Sequence, residues 1–547
     1  MTDPAAGLGA VYTRPWAARL VLDLIGYTSD DDLAAHTIVE PCCGDGAFVE
    51  PIVRRLLKSV ERTGRGMVDT ASCIRAWDLD PEAVAHTRAR VSAILVEHGA
   101  SSELASELAE GWIAQGDFLL DTTPKDRVRW VAGNPPYVRV EDVPADRAKR
   151  YRTAWPTMTG RADVYIGFFE AALSMLEPGG IVGFLCADRW MKNQYGAALR
   201  RKVADGYALD VVLELTGVDA FERKVAAYPA ITVIRNGERR DTLFARARSS
   251  FDEDAANRFV MSTGSSDARR FTDPAFDAHR RLVRPSSKST WAIASEEDLT
   301  LVDDLEARFR PLEDTGVKVR GGAATGADDV YIVGPDSDIE PEVLFPLIGP
   351  TDFVDGNLVW SGRHLLNPWG DAGLIPLDEK PIMTAHLRAN EKRLRKRYVA
   401  RQYPSTWWRT IDRPNSAHWS PEKLVVADIK NRIEPVLDTG GHVPMHSLYY
   451  LTSTAWDLEV LGGLLMSDVV GRFLAAHSVL MSSGAIRVSA QYLRLIRLPE
   501  PEGLDETVRE KLRTAFRNRD RGLASAAAQE AFGLSAPNAP DVNQAGS

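Results

Sequence analysis

Asn134, Pro135, Pro136 and Tyr137 follow directly on an apolar run that ends at Gly133. Two consecutive prolines cannot donate to a strand ladder, and each holds the residue before it in extended backbone. The Asn134 side-chain oxygen and the Pro135 carbonyl can therefore point the same way, as two converging acceptors. Such a pair suits an exocyclic amine like N6 of adenine, a poor nucleophile because its lone pair is delocalised into the ring. Accepting both N–H groups biases the nitrogen toward sp3 geometry and aims the lone pair at an electrophilic methyl group, with no strong base required. The Tyr137 ring can stack on the base being held. Taken alone, the tetrapeptide can also be only a stiff turn; its place at a strand end favours chemistry.

Three further strand ends supply acids. The run Thr37 to Glu40 leads into Pro41, Cys42, Cys43, Gly44, Asp45, Gly46, a glycine turn that lets backbone approach a ligand at the carboxyl edge of a sheet. The spacing lacks G-x-G-x-x-G, which argues against a dinucleotide. The next run ends at Asp78, where an acid can accept from both ribose hydroxyls, and a third region ends in Gly116, Asp117, Phe118, where Asp117 can accept from an adenine amino group. Each acid alone is readable as a turn or cap residue. Their joint occurrence at successive strand ends points to adenosine.

Positioning these residues requires a parallel sheet with crossover helices. The sequence places its strands at Thr37 to Glu40, Ile74 to Asp78, Arg129 to Ala132, Ile181 to Cys186, Leu209 to Leu215 and Ala230 to Ile234. Helices are expected after Pro81 and from Asp163 to Leu176, where Pro178, Gly179 and Gly180 stop the second. The chain of 547 residues is long enough for more than one folded unit. Residues 241–300 are polar and charged and read as a connector. Residues 301–500 read as an α+β domain, and 501–547 as a charged helix with a loose tail. Apolar residues make up 44% and charged residues 26%, an ordinary globular composition that excludes a disordered chain. No apolar stretch is long enough to span a membrane and no secretory signal opens the chain, so the expected address is cytoplasmic. Cys42, Cys43, Cys73 and Cys186 lack metal-site spacing and are expected to be reduced thiols, with no metal bound.

These motifs resemble those of the N6-adenine DNA methyltransferases of the amino-methyltransferase group, similar to TaqI-type and Eco57I-type modification enzymes. The resemblance covers Tyr12 to Arg235 strongly and Lys318 to Pro499 more weakly. It implies an α/β, Rossmann-like S-adenosyl-L-methionine-dependent methyltransferase domain over 1–240, followed by an α+β target-recognition domain. Thr13, Glu40, Cys42, Gly44, Asp78, Asp117 and Pro136 are thereby expected at the cofactor. Asn134, Pro135, Tyr137 and Phe221 are expected at the reacting base, with Phe221 stacking on its other face. The partner is double-stranded DNA, from which the target base rotates out, together with a cognate restriction endonuclease or other defence-system subunits. Methylation of RNA or of a protein glutamine, and a non-catalytic DNA-binding subunit, are the alternatives.

The net charge of -10 argues against indiscriminate coating of nucleic acid. The stretch from Arg388 to Arg413 is nevertheless locally basic, and Lys392, Arg393, Lys396, Arg397, Arg401, Trp407, Trp408 and Arg409 are expected to face DNA. A solvated helix face over a buried tryptophan pair is the other reading. Asp412, Asp428 and Lys430 distantly imitate a nuclease triplet, but such triplets are common by chance, and with the first cofactor motif at Tyr12 no separate nuclease domain is expected before it.

Overall fold

The computed structural model describes residues 12–122, 127–222, 228–264, 269–281, 291, 294–430, 432–478 and 486–534. They form two compact units, divided after Ser295.

The first unit is built on a ten-stranded sheet. Its strands are β1 (Ile38–Glu40), β2 (Ile74–Asp78), β3 (Ile113–Gln115), β4 (Val128–Gly133), β5 (Leu176–Ala187), β6 (Ala208–Glu214), β7 (Pro229–Arg235), β8 (Thr242–Ala247), β9 (Arg270–Asp273) and β10 (Phe276–Arg281). They lie in the order β3-β2-β1-β4-β5-β7-β6-β8-β10-β9. Strands β1 to β5 run parallel, and β7 is antiparallel to both β5 and β6. The expected strands are all present. The reversed β7 departs from the expected all-parallel rhythm, because the apolar runs carry no direction.

Both faces of the sheet are covered, so neighbouring residues of one strand enter opposite cores. Trp130 and Ala132 of β4 belong to one apolar cluster, with Ile38, Ile74 and Leu185, while Val131 belongs to the other, with Val39, Val182 and Phe184. The helices that bear on the site are α1 (Pro15–Leu24), α2 (Val49–Thr63), α3 (Pro81–Glu97), α4 (Ser102–Trp112), α5 (Phe118–Asp121), α6 (Ala145–Ala154) and α7 (Tyr165–Met175). Helix α3 starts where Pro81 and the Asp80 cap dictate: the Asp80 carboxylate accepts from Glu82 N at 3.0 Å.

The expected connector, as far as Arg281, proves instead to extend this sheet, and its last residues open a helix of the second unit, Glu296–Arg308. Strand β8 pairs in parallel with β6, and β10 and β9 extend the edge antiparallel. The first unit thus runs well past residue 240. Polar composition hid these strands because only one side of the edge is buried: along β10 Phe276 is buried, Asp277 exposed and Ala278 buried again. Arg248–Asp277 at 2.6 Å and Arg258–Asp273 at 2.8 Å bridge the exposed side.

The second unit holds an antiparallel sheet of Val317–Gly321, Leu448–Ser453, Lys423–Ala427 and Val436–Asp438, in that order. A smaller mixed sheet joins Ile332–Val333, His364–Leu366, Leu344–Ile348 and Val443–Pro444. Helices complete an α+β architecture. The expected single C-terminal helix is two, Glu506–Asn518 and Arg521–Phe532, broken at Arg519 with φ +56. They belong to this unit: Leu512 and Phe516 are buried and Arg513 pairs with Asp457 at 2.8 Å. The expected loose tail lies mostly outside the described residues.

Candidate active site

A cavity of about 180 Å³ opens at the carboxyl ends of β1, β2, β3 and β4. Thr13, Cys42, Gly44, Asp78, Asp117, Asn134, Pro136 and Tyr137 all line it, so eight residues from scattered motifs meet at one place.

The glycine turn forms its floor. Gly44 and Gly46 take φ +50 and +91, conformations that residues other than glycine rarely adopt. The turn is tied to β2, with Gly44 N–H donating to Asp78 Oδ2 at 2.9 Å and Asp80 N–H donating to Oδ1 at 2.9 Å. Each Asp78 oxygen keeps a second lone pair for a ligand. Burial pushes the Asp78 carboxyl above the usual range despite these donors.

Asp117 sits at the start of α5, where Oδ1 accepts from Leu119 N at 3.2 Å. Its Oδ2 accepts from the Tyr151 hydroxyl at 2.8 Å and faces Arg147 Nε at 3.8 Å. Burial raises this carboxyl too, and Tyr151 and Arg147 oppose the rise. Both partners come from α6, and Phe118 stacks on Phe168 of α7 at 5.4 Å beside them. Tyr151, Arg147 and Phe168 also line the cavity. The motifs give Tyr151 and Arg147 no role; their four-residue spacing on one helix face is the only local signal for them.

At the opposite end, Asn134 Nδ2 donates to Thr13 Oγ1 at 3.0 Å. This bond orients the amide and turns its carbonyl end away from Thr13. Cys42 Sγ donates to the Asn134 backbone carbonyl at 3.1 Å, which ties the tetrapeptide to the glycine turn. Tyr137 donates weakly to Leu185 O at 3.4 Å. Phe221 pairs with Thr13 through an antiparallel bridge, flanked by Arg14 N to Ala220 O and Glu222 N to Tyr12 O, both 3.0 Å. The stems of its loop are held by Leu215 N to Pro229 O at 2.8 Å and Asp188 N to Tyr228 O at 3.0 Å. Beneath them Lys192 is buried between Asp188 at 3.0 Å and Glu214 at 3.2 Å; burial disfavours its charge, but the two carboxylates raise its pKa on balance.

Three expected site residues sit differently. Glu40 does not line the cavity: its carboxylate accepts from Cys42 N at 3.3 Å, and a Cβ on Gly133 would lie 2.5 Å from Glu40 Oε1. It fills the space under the turn, where burial raises its pKa well above the usual range. Pro135 is likewise buried behind the lining. The Phe221 ring is 6% exposed and meets Tyr137 edge to face, with centroids 6.4 Å apart and planes at 88°. The two aromatics are neighbours, but two parallel walls around a base require a ring to turn. The rest of the motif, residues 223–227, lies outside the described residues.

In the second unit the basic stretch divides. Lys392, Lys396 and Arg401 are exposed. Arg393 is exposed but pairs with Asp329. Arg397, by contrast, is a brace: it donates to Thr325 O at 2.9 Å, Trp407 O at 2.8 Å and Arg409 O at 3.0 Å. Trp407 is 4% exposed and belongs to the core, and Trp408 Nε1 is spent on Ile375 O at 3.1 Å. Arg409 lies between the rings of Tyr403 at 4.2 Å and Trp369 at 5.1 Å. Arg397 and Trp407 are thus turned to the protein's own carbonyls and core, while Trp408 is half-buried. Asp412, from the nuclease-like triplet, accepts from Ala324 N at 2.9 Å; the side chains of Ile429 and Lys430 lie outside the described residues.

Residues 72–221 match the family model described as Eco57I restriction-modification methylase. The Type II methyltransferase M.BstVI of Geobacillus stearothermophilus is 38% identical over 525 residues, 92% of this chain and 92% of that protein. M.PaeR7I of Pseudomonas aeruginosa, also a Type II methyltransferase, is 38% identical over 96% of this chain and 92% of its own. Among solved structures, the Type IIL restriction-modification enzyme MmeI in complex with DNA is similar in fold, with a TM-score of 0.62 at 12% identity over 96% of this chain and 74% of that one.

Proposed function

The chain belongs to the Type II DNA methyltransferases of restriction-modification systems, and from that premise we propose that it methylates N6 of an adenine rotated out of duplex DNA, using S-adenosyl-L-methionine. The observation that carries this reading is the convergence of Asn134, Pro136 and Tyr137 with Asp78 and Asp117 on one cavity.

The donor set fits the cofactor. Asp78 would accept from the ribose hydroxyls and Asp117 from the adenine amino group, with the stacked pair Phe118 and Phe168 beside the ring and Thr13, Cys42 and Gly44 toward the methionine part. Bound there, the cofactor supplies a methyl group made electrophilic by its sulfonium. Asn134 Oδ1 and the Pro135 carbonyl accept the two N6–H groups of the target. The N6 lone pair would then be left facing the methyl group that the cofactor would supply, and the N6 proton lost on transfer would pass to solvent. Tyr137 stacks on the extruded base, and Phe221 joins it once a ring turns, at about 1–3 kcal/mol per base, against an unpairing penalty of a few kcal/mol. Lys392, Lys396 and Arg401 take phosphates.

The raised carboxyls of Asp78 and Asp117 set a pH dependence. Both must be ionised to accept fully, so cofactor affinity is expected to fall on acidification through their elevated pKa values. Stability moves the other way: the folded chain holds these protons more tightly than the unfolded one, so their contribution grows on acidification and is lost as pH rises. Calorimetric titration with the cofactor across that range checks the first statement; a flat affinity contradicts it.

Incubation of the protein with methyl-labelled cofactor and duplex DNA, followed by nucleoside analysis, tests the function. Label in N6-methyladenine is expected, and label confined to cytosine overturns the assignment.

A further inference from the structure

A cavity of about 870 Å³ opens within the second unit, lined in part by Arg320, Asn367, Trp369, Arg413, Trp419 and Tyr450. Its wall holds polar groups left unused. Tyr450 is 6% exposed and lines the cavity, close enough to Arg320 for the guanidinium to act on its hydroxyl. Asn367 is 2% exposed; its Nδ2 donates to Trp369 O at 2.9 Å, and its Oδ1 has no partner among the described residues. The buried Trp419 Nε1 is in the same position. Arg320 makes one side-chain bond, Nη1 to Thr452 Oγ1 at 3.1 Å, and has no carboxylate partner among the described residues. Buried polar groups are nearly always satisfied, so Asn367 Oδ1 and Trp419 Nε1, which are not, mark a place where a ligand completes the set.

The charge balance says what kind of ligand. Arg320 and Arg413 are offset by Asp371 and Asp412 in the same lining, and Arg413 already donates to Gly370 O at 2.9 Å and Asp371 O at 3.0 Å. A phosphate channel needs an excess of cations. This wall offers instead donors and acceptors for an uncharged planar edge. The exposed cations lie next to it: Trp369 of the lining stacks on Arg409, which stacks on Tyr403, two residues from Arg401.

We propose that this cavity receives base edges of duplex DNA, and that Arg320 and Tyr450 are specificity-determining residues. The inference rests on the methyltransferase reading above. The Arg320 fork matches the two acceptors that guanine presents in the major groove, Tyr450 and Asn367 complete the set, and Lys396 and Arg401 hold the flanking phosphates.

The test expresses the full chain in a host without adenine methylation and reads the sequence context of every methylated adenine. Transfer rates on cognate and singly substituted duplexes are then compared for wild type, Arg320→Ala and Tyr450→Phe. Arg320→Ala is expected to lose discrimination at one G·C position by about tenfold or more, with affinity for a duplex lacking the site held within about twofold. Tyr450→Phe, which removes a single oxygen, is expected to loosen the same motif and decides the matter if Arg320→Ala does not fold. Variants that keep the wild-type motif and rate ratios overturn the inference. So does an equal loss on all sequences with a shallower salt dependence, the signature of a phosphate contact. A wild-type chain that methylates no DNA fails at the earlier step and takes both readings with it.

Discussion

Asn134→Ala is expected to lower methyl transfer by about 10²–10³-fold or more, the loss found when one preorganised partner of a reacting group is removed, while cofactor affinity stays near wild type. Asn134 supplies one of the two acceptors proposed for N6, and without it the amine keeps its lone pair in the ring. The side chain is held for this task by its Nδ2 bond to Thr13 at 3.0 Å. The adenosine-side contacts, Gly44 to Asp78 and Tyr151 to Asp117, do not pass through it, and Thr13 stays held by its backbone bridge to Phe221. Single-turnover rates with labelled cofactor and a binding titration on the same variant separate the two effects. A parallel loss of cofactor affinity would place Asn134 in the cofactor site instead.

Trp407→Ala is expected to destabilise the second unit by about 3–5 kcal/mol, the usual cost of emptying a buried aromatic site. Its ring is 4% exposed, Trp408 meets it edge to face at 5.9 Å, and Arg395 lies over it at 5.1 Å. Its carbonyl also takes one of the Arg397 bonds, so the loss spreads to that brace. The paired change Lys396→Ala and Arg401→Ala, on exposed side chains, should leave stability within about 0.5 kcal/mol. It should also make the salt slope of DNA binding shallower by roughly one for each phosphate no longer neutralised. Thermal unfolding and DNA titrations over a salt series check both. A Trp407→Ala protein that melts like wild type but binds DNA poorly would reverse the assignment.

The strand ends were legible because each carries a short buried run closed by a distinctive residue: Asp78 closes β2, and Gly133 closes β4 just before the double proline. What the sequence hid was long range. Glu40 stands beside the glycine turn in sequence, but its depth beneath it depends on Gly133, which comes from a different strand. Tyr151 and Arg147 reach Asp117 from a helix whose docking no local pattern announces. In the basic stretch, Arg397 and Arg401 are the same residue type at helical spacing, yet one is consumed by the carbonyls of Thr325, Trp407 and Arg409, two of them brought in by the following turn and one from a distant segment, and the other is exposed. The polar edge strands β9 and β10 were concealed for a related reason, since a strand that buries one side needs only every second residue to be apolar.

The central claim is most directly tested by a structure of the protein with a methyl-donor analogue and duplex DNA containing its site. An extruded adenine is predicted, with N6 within hydrogen-bond distance of both Asn134 Oδ1 and the Pro135 carbonyl and its lone pair facing the donor. An adenine left stacked in the duplex, or an N6 held by other groups while those two oxygens face protein backbone, would contradict it.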